Sequence, residues 1–117
     1  MAYDTELADR VRDLVGLEYG ISEKAMFGGL AFLVNGNMAV AVSGAGGLML
    51  RVPPDETDDI VALEHASPMV MAGRETRGWV RVAAAAVADD AGLVSWVERG
   101  LEHARTLPPK QPDRSRA

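Results

Sequence analysis

Residues 30–34 (Leu-Ala-Phe-Leu-Val) and 38–42 (Met-Ala-Val-Ala-Val) contain no polar side chain, and Asn35-Gly36 stands between them. A strand with one wet face alternates apolar and polar residues, so these two runs read as strands that want cover on both faces. Asn and Gly tolerate positive φ, which lets the second run fold back antiparallel on the first. The pattern therefore predicts a β-hairpin with Asn35 and Gly36 at its bend. Its register is open. A two-residue loop sets Phe32 on the face of Ala39 and Ala41, and a three-residue loop including Asn37 sets it with Val40.

Around the hairpin the periodicity changes. Leu7, Val11, Leu14 and Val15 recur at helical spacing after Asp4 or Thr5, either of which can cap a first helix that Gly16 stops. Residues 24–27 read as a short strand entering the Gly28-Gly29 bend. The turn 43–47 delivers a further strand, 48–52, that Pro53-Pro54 ends. Residues 55–65 read as a second helix, acidic in its first turn, with Ile60, Val61 and Leu63 inward and 66–68 as its stop. Two more strands, 69–71 and 78–82, flank a polar loop, and 83–88 fits helix or strand equally. The last helix begins at Asp89 or Asp90 and turns Leu93, Trp96, Val97, Gly100, Leu101 and Ala104 to one face. Phe27, Phe32, Trp79 and Trp96 are the expected core aromatics. Tight turns between successive strands imply antiparallel pairing, so the fold class is α+β: a two-layer sandwich of three helices on a sheet of five to six strands.

Composition narrows the function. At 117 residues with 48% apolar content the chain holds one domain, expected at 1–110 with a disordered tail at 111–117. The absence of cysteine excludes disulfides, thiol catalysis and thiolate metal sites. No signal peptide or membrane-length apolar run is visible, so the expected location is the cytoplasm, without membrane association. A net charge of −5 opposes direct nucleic-acid binding, which needs clustered Lys and Arg.

Few residues suggest chemistry. Met26, Met38, Met49, Met69 and Met71 all fall in predicted strands, where gap-filling of a core outweighs a metal or partner site. His65 and His103 fit helix C-terminal placement and have no companions at ligand spacing, so neither metal nor cofactor is expected. Ser22, Ser43, Ser67 and Ser95 lack a nucleophile-elbow context. Lys24, Arg51, Arg74 and Arg77 form the least ordinary set, able to collect at one end of the sheet as a rim for an anionic ligand or partner. A small anion-binding protein or enzyme using that rim is the alternative to a non-catalytic interaction module. The module is favoured because no acid–base pair or nucleophile can be named.

Lys24-Ala-Met-Phe-Gly-Gly-Leu-Ala-Phe-Leu-Val-Asn-Gly-Asn-Met38, Gly78-Trp79, Trp96-Val-Glu-Arg-Gly100 and Leu107-Pro-Pro-Lys110 resemble the N-terminal domain of the TfoX/Sxy family, over about residues 3–110. The resemblance implies a small domain similar in architecture to type III secretion chaperones and commonly dimeric, found in bacterial competence regulators. Full-length members carry a C-terminal domain that has no counterpart in this sequence, so a competence role does not transfer. The expectation is a homodimer meeting over the apolar sheet, with a transcription regulator as the kind of protein partner.

Overall fold

The computed structural model describes residues 3–26, 28–71 and 73–109. In chain order the elements are α1 (Thr5–Val15), β1 (Ile21–Met26), β2 (Gly29–Val34), β3 (Asn37–Val42), β4 (Leu48–Arg51), α2 (Thr57–Val61), β5 (Ala66–Met71), β6 (Arg74–Val82) and α3 (Asp90–Thr106). The strands form one six-stranded antiparallel sheet in the order β1-β2-β3-β4-β6-β5. After β4 the chain passes through α2 to the sheet edge as β5, and β6 returns between them. This is the α+β architecture expected from the sequence.

The hairpin resolves its two readings by combining them. Val34 pairs with Asn37 across a two-residue turn, with Asn35 at φ 51° and Gly36 at φ 86°. Leu33 then pairs with Met38 but Phe32 with Val40, so Ala39 is an extra residue in β3. That bulge gives Phe32 the neighbour expected of a longer loop. It also places Ala39 with Phe32 and Val40 in the main core.

All three helices cover one face of the sheet. Leu7, Ala8, Val11 and Val15 of α1, Ile60 of α2, and Leu93, Val97, Leu101 and Ala104 of α3 pack on Leu30, Phe32, Val34, Val40, Val42, Leu48, Leu50, Val80 and Val82. Helix α3 lies very close to β3: a Cβ at Gly100 would stand 2.5 Å from the Ala39 carbonyl oxygen. Asp4 caps α1 through the amides of Glu6 and Leu7, and Asp89 caps α3 through that of Gly92.

Several boundaries differ from expectation. The predicted helix at 55–65 shrinks to Thr57–Val61 behind a 3-10 turn at Pro54–Glu56, and Leu63 is exposed. The reason is sheet pairing, because Ala66, Ser67 and Pro68 bond to Val82, Arg81 and Val80 rather than ending a helix. Pro68 is tolerated there because β5 is an edge strand. Strand β6 starts at Arg74, so most of the predicted polar loop is strand, with a register shift where Pro68 pairs with Val80 but Val70 with Glu75. Gly78, at φ 91°, lies in that irregular stretch. Strand β1 starts three residues before the expected strand, and the ambiguous alanine run forms a 3-10 turn at Ala84–Val87. Phe27, the side chain of Met71 and the tail 111–117 lie outside the described residues.

Candidate functional site

The face of the sheet opposite the helices buries its own apolar layer. Ala31, Met38, Ala41, Met49 and Met69 are 0–6% exposed, with Met26, Leu33 and Trp79 partly buried against them, and every member comes from a strand. Long thioether side chains beside small alanines fill such a layer without a helix. Four of the methionines singled out in the sequence thus share one sheet face. The expected gap-filling role accounts for their burial, but their gathering on this face was not foreseeable without the register.

The charges of this face have one sign. One cross-strand row reads Lys24, Ala31, Ala41, Met49, Arg81 and Ser67 from β1 to β5. Arg51 pairs with Trp79 in the next row, its guanidinium carbon 5.5 Å from the ring centroid. Arg74 pairs with position 71 of β5, two residues along the strand from the buried Met69, so alternation places it on the face of the methionines. Arg81 Nη2 donates to Ser43 Oγ at 3.2 Å. Lys24, Arg51, Arg74 and Arg81 therefore share the face, and among the described strand residues no acidic one does: the strands hold Glu23 and Glu75 alone, Glu23 pairs with Phe32 on the helix side, and Glu75 pairs with Val70, next to Met69 along β5 and so on the other face.

Of the four cations singled out in the sequence, three meet on this face and one does not. Arg77 turns to the helix side, where it donates to Asp58 Oδ1 at 3.1 Å and to the Pro54 carbonyl at 2.8 Å. Lys24 and Arg51 stand three strands apart, about 14 Å by strand spacing, so they flank a surface rather than close on a small ion. Arg81 was missed because only the sheet order places it in the row of Lys24.

Three arginines of the helical layer are spent on neighbouring acids. Arg12 bridges Asp9 at 2.7 Å and Glu23 at 2.6 Å, Arg10 reaches Asp90 at 3.1 Å, and Arg105 holds Glu18 at 2.7 Å and Glu98 at 2.8 Å. The Arg105 and Arg12 hydrogen bonds lower the pKa values of Glu18 and Glu23 respectively. Among the described residues, Lys24, Arg51, Arg74 and Arg81 have no carboxylate within ion-pair distance. The acidic layer and the cationic face are separated by the sheet itself.

A second surface lies at the end of α1. Glu18 turns in to Arg105, and the Gly20 carbonyl accepts from the Asn35 amide at 2.9 Å, which ties down the connection between α1 and β1. Leu17 and Tyr19 are left 100% and 89% exposed. Leu14 and Val94 are 40% and 46% exposed and line, with Leu93, Arg10, Asp13 and Asp90, a groove of about 390 Å³ between α1 and α3. Leu14 was expected inward, but Val11 and Val15 take the core positions and leave it on the rim.

The expected aromatic core is partly realised. Phe32 is fully buried, whereas Trp96 is half-buried with Arg99 over its ring at 5.3 Å, and Trp79 belongs to the methionine face. His103 sits with Pro53, Glu56, Arg99, Glu102 and Thr106 around a cleft of about 370 Å³. Burial lowers its pKa, Arg51 adds to that, and Glu56 opposes it. Among the described residues no three His, Cys, Asp or Glu side chains are grouped to hold a metal. No described helix is long and apolar enough to cross a membrane.

No curated protein and no solved structure matches the chain. The family model of the TfoX N-terminal domain matches residues 13–104, which takes in the sheet, all of α2, most of α3 and the C-terminal end of α1. This chain belongs to the TfoX N-terminal domain family.

Proposed function

We propose that the domain is a non-catalytic, homodimeric interaction module that works in the cytoplasm, in transcription regulation through a protein partner. The observation that carries the reading is the pair Leu17 and Tyr19, held in solvent by a connection that Glu18 and Gly20 anchor on either side. A large apolar residue and a tyrosine fixed in the open, in the same helical layer as the groove that Leu14 and Val94 line, are suited to contact rather than catalysis. The TfoX N-terminal domain family, which is not a known enzyme family, supports the same view.

The electrostatics direct the second copy to the helical layer. A dimer over the sheet would set Lys24, Arg51, Arg74 and Arg81 against the same four residues of the partner, with their apolar layer already buried within each chain. Edge pairing through β1 is opposed too. Its full-length antiparallel registers about a two-fold axis place Glu23 opposite Glu23 or Lys24 opposite Lys24. At the α1–α3 groove, by contrast, a two-fold axis lets Leu17 and Tyr19 of one copy meet Leu14 and Val94 of the other. Light scattering over a dilution series tests this. A dimer mass that Leu17→Asp converts to a monomer is expected, and a monomer mass held at tens of micromolar removes the homodimer.

A further inference from the structure

The face opposite the helices is cationic in a protein with 17 acidic and 12 basic residues, and that segregation identifies what it binds. We infer that this sheet face docks an acidic segment of a partner protein, one with apolar side chains between its carboxylates. The inference rests on the interaction-module reading but not on the dimer.

Charge complementarity is the first argument. Lys24 on β1 and Arg81 on β6 share one cross-strand row, four strand spacings or about 19 Å apart, and Arg51 lies in the adjacent row. An extended or helical segment crossing the strands can place carboxylates near each of them. Arg51 lies over Trp79 and has no carboxylate partner among the described residues, so its guanidinium is available for a bidentate contact. Lys24 and Arg74 are exposed and free of carboxylate partners among the described residues.

The apolar part of the face selects a peptide over other polyanions. Between the cations, Met26, Leu33 and Trp79 are half-buried and offer contact to apolar side chains, with the packed methionines beneath them. A single-stranded nucleic acid instead needs aromatic faces on which bases stack. On the described part of this face the one aromatic ring is Trp79, and Arg51 already covers it. A second copy's acidic helical layer would also complement the charge. That contact is head-to-tail, however, and would build open chains rather than a closed pair.

The test is fluorescence anisotropy with the full chain and three labelled probes: a Leu/Glu peptide of about twenty residues, its Leu/Lys counterpart, and an oligothymidylate of similar length. Saturable binding of the Leu/Glu peptide alone is expected, weakening as salt is raised. Lys24→Glu and Arg99→Glu make the same change in net charge on opposite layers. The first should weaken binding at least fivefold and the second less than twofold, with both melts near that of the parent. No saturable binding of the Leu/Glu peptide overturns the inference. So do tighter binding of the oligothymidylate and equal losses in the two variants. Masses measured on the same samples separate the two proposals: a monomer that binds the peptide removes only the homodimer, and a dimer that ignores it removes only the docking face.

Discussion

Gly100→Ala sets two effects of opposite sign against each other at the crossing of α3 and β3. Alanine in place of glycine inside a helix gains about 1 kcal/mol. The added Cβ, however, would stand 2.5 Å from the Ala39 carbonyl oxygen and 3.2 Å from its carbon, when ordinary contact begins at 3.4 Å. The helix or the strand must therefore yield by about 0.9 Å, the difference between 3.4 and 2.5 Å. Neither is free to do so. β3 is bonded between β2 and β4, Ala39 is the bulged residue, and α3 is fixed against the sheet by Leu93, Val97, Leu101 and Ala104 on the same face as Gly100. Overpacking of a core costs about 1–3 kcal/mol, and rigid backbone on the receiving side argues for the upper end. The expected net loss is about 1–2 kcal/mol, or a melting temperature lower by roughly 5–10 °C for a domain of this size. Thermal unfolding by circular dichroism reads it directly, with Ser95→Ala at an exposed position of α3 as the propensity control. A Gly100→Ala melt at or above that of the parent would refute the close approach of α3 to β3.

Gly36→Val forces a β-branched residue to φ 86° and should cost about 1–2 kcal/mol; an unchanged melt would count against the two-residue turn. Phe32→Ala should cost about 3–5 kcal/mol, and Trp96→Ala less than half of that, since Trp96 only borders the core. Glu18→Gln should destabilise by less than about 1 kcal/mol at neutral pH, because Arg105 is 40% exposed. Glu18 has a lowered folded pKa, so its contribution is present above the unfolded carboxylate range and fades as pH falls through the folded value; the two melts should converge in acid. His103 should titrate below the usual histidine range by NMR. Its lowered pKa means that its contribution to stability is complete above that range and declines as pH falls.

Local chemistry explains which parts were legible in the sequence. Asp4, Asp89, Asn35-Gly36 and the serine-glycine turn before Leu48 act on neighbours within a few residues, so their positions could be read directly. The second helix could not be bounded in this way. Nothing local tells that Ala66-Ser67-Pro68 will pair with β6, and long-range bonds override the weak helical pattern before it. The cationic site was half legible for a similar reason. Lys24, Arg51 and Arg74 attracted notice as residue types, but separating Arg77 from them and adding Arg81 requires knowing the sheet order and the shift opposite Pro68. Ala41 shows the limit most plainly. Strict alternation from the two-residue turn would put it on the face of Phe32, and the bulge at Ala39 moves it to the methionine face.

The two proposed surfaces lie on opposite layers, which fixes a stoichiometry. Leu14, Leu17, Tyr19 and Val94 belong to the helical layer, whereas Lys24, Arg51, Arg74 and Arg81 belong to the far side of the sheet, with the buried core between them. A dimer formed through the first set leaves both copies of the second set open, so each chain should bind one acidic segment. The sites should also be independent. No helix contributes to the methionine layer, and the ion pairs of the helical layer do not include the cations of the sheet face. The monomeric Leu17→Asp variant should therefore bind the Leu/Glu peptide within about twofold of the parent, because a coupling of less than roughly 0.4 kcal/mol is expected between surfaces that share no element. Titration calorimetry measures both quantities at once. One peptide per two chains, or an affinity that collapses with the dimer, would mean that the sheet face is completed by a second copy, and the separation of the two surfaces would be wrong.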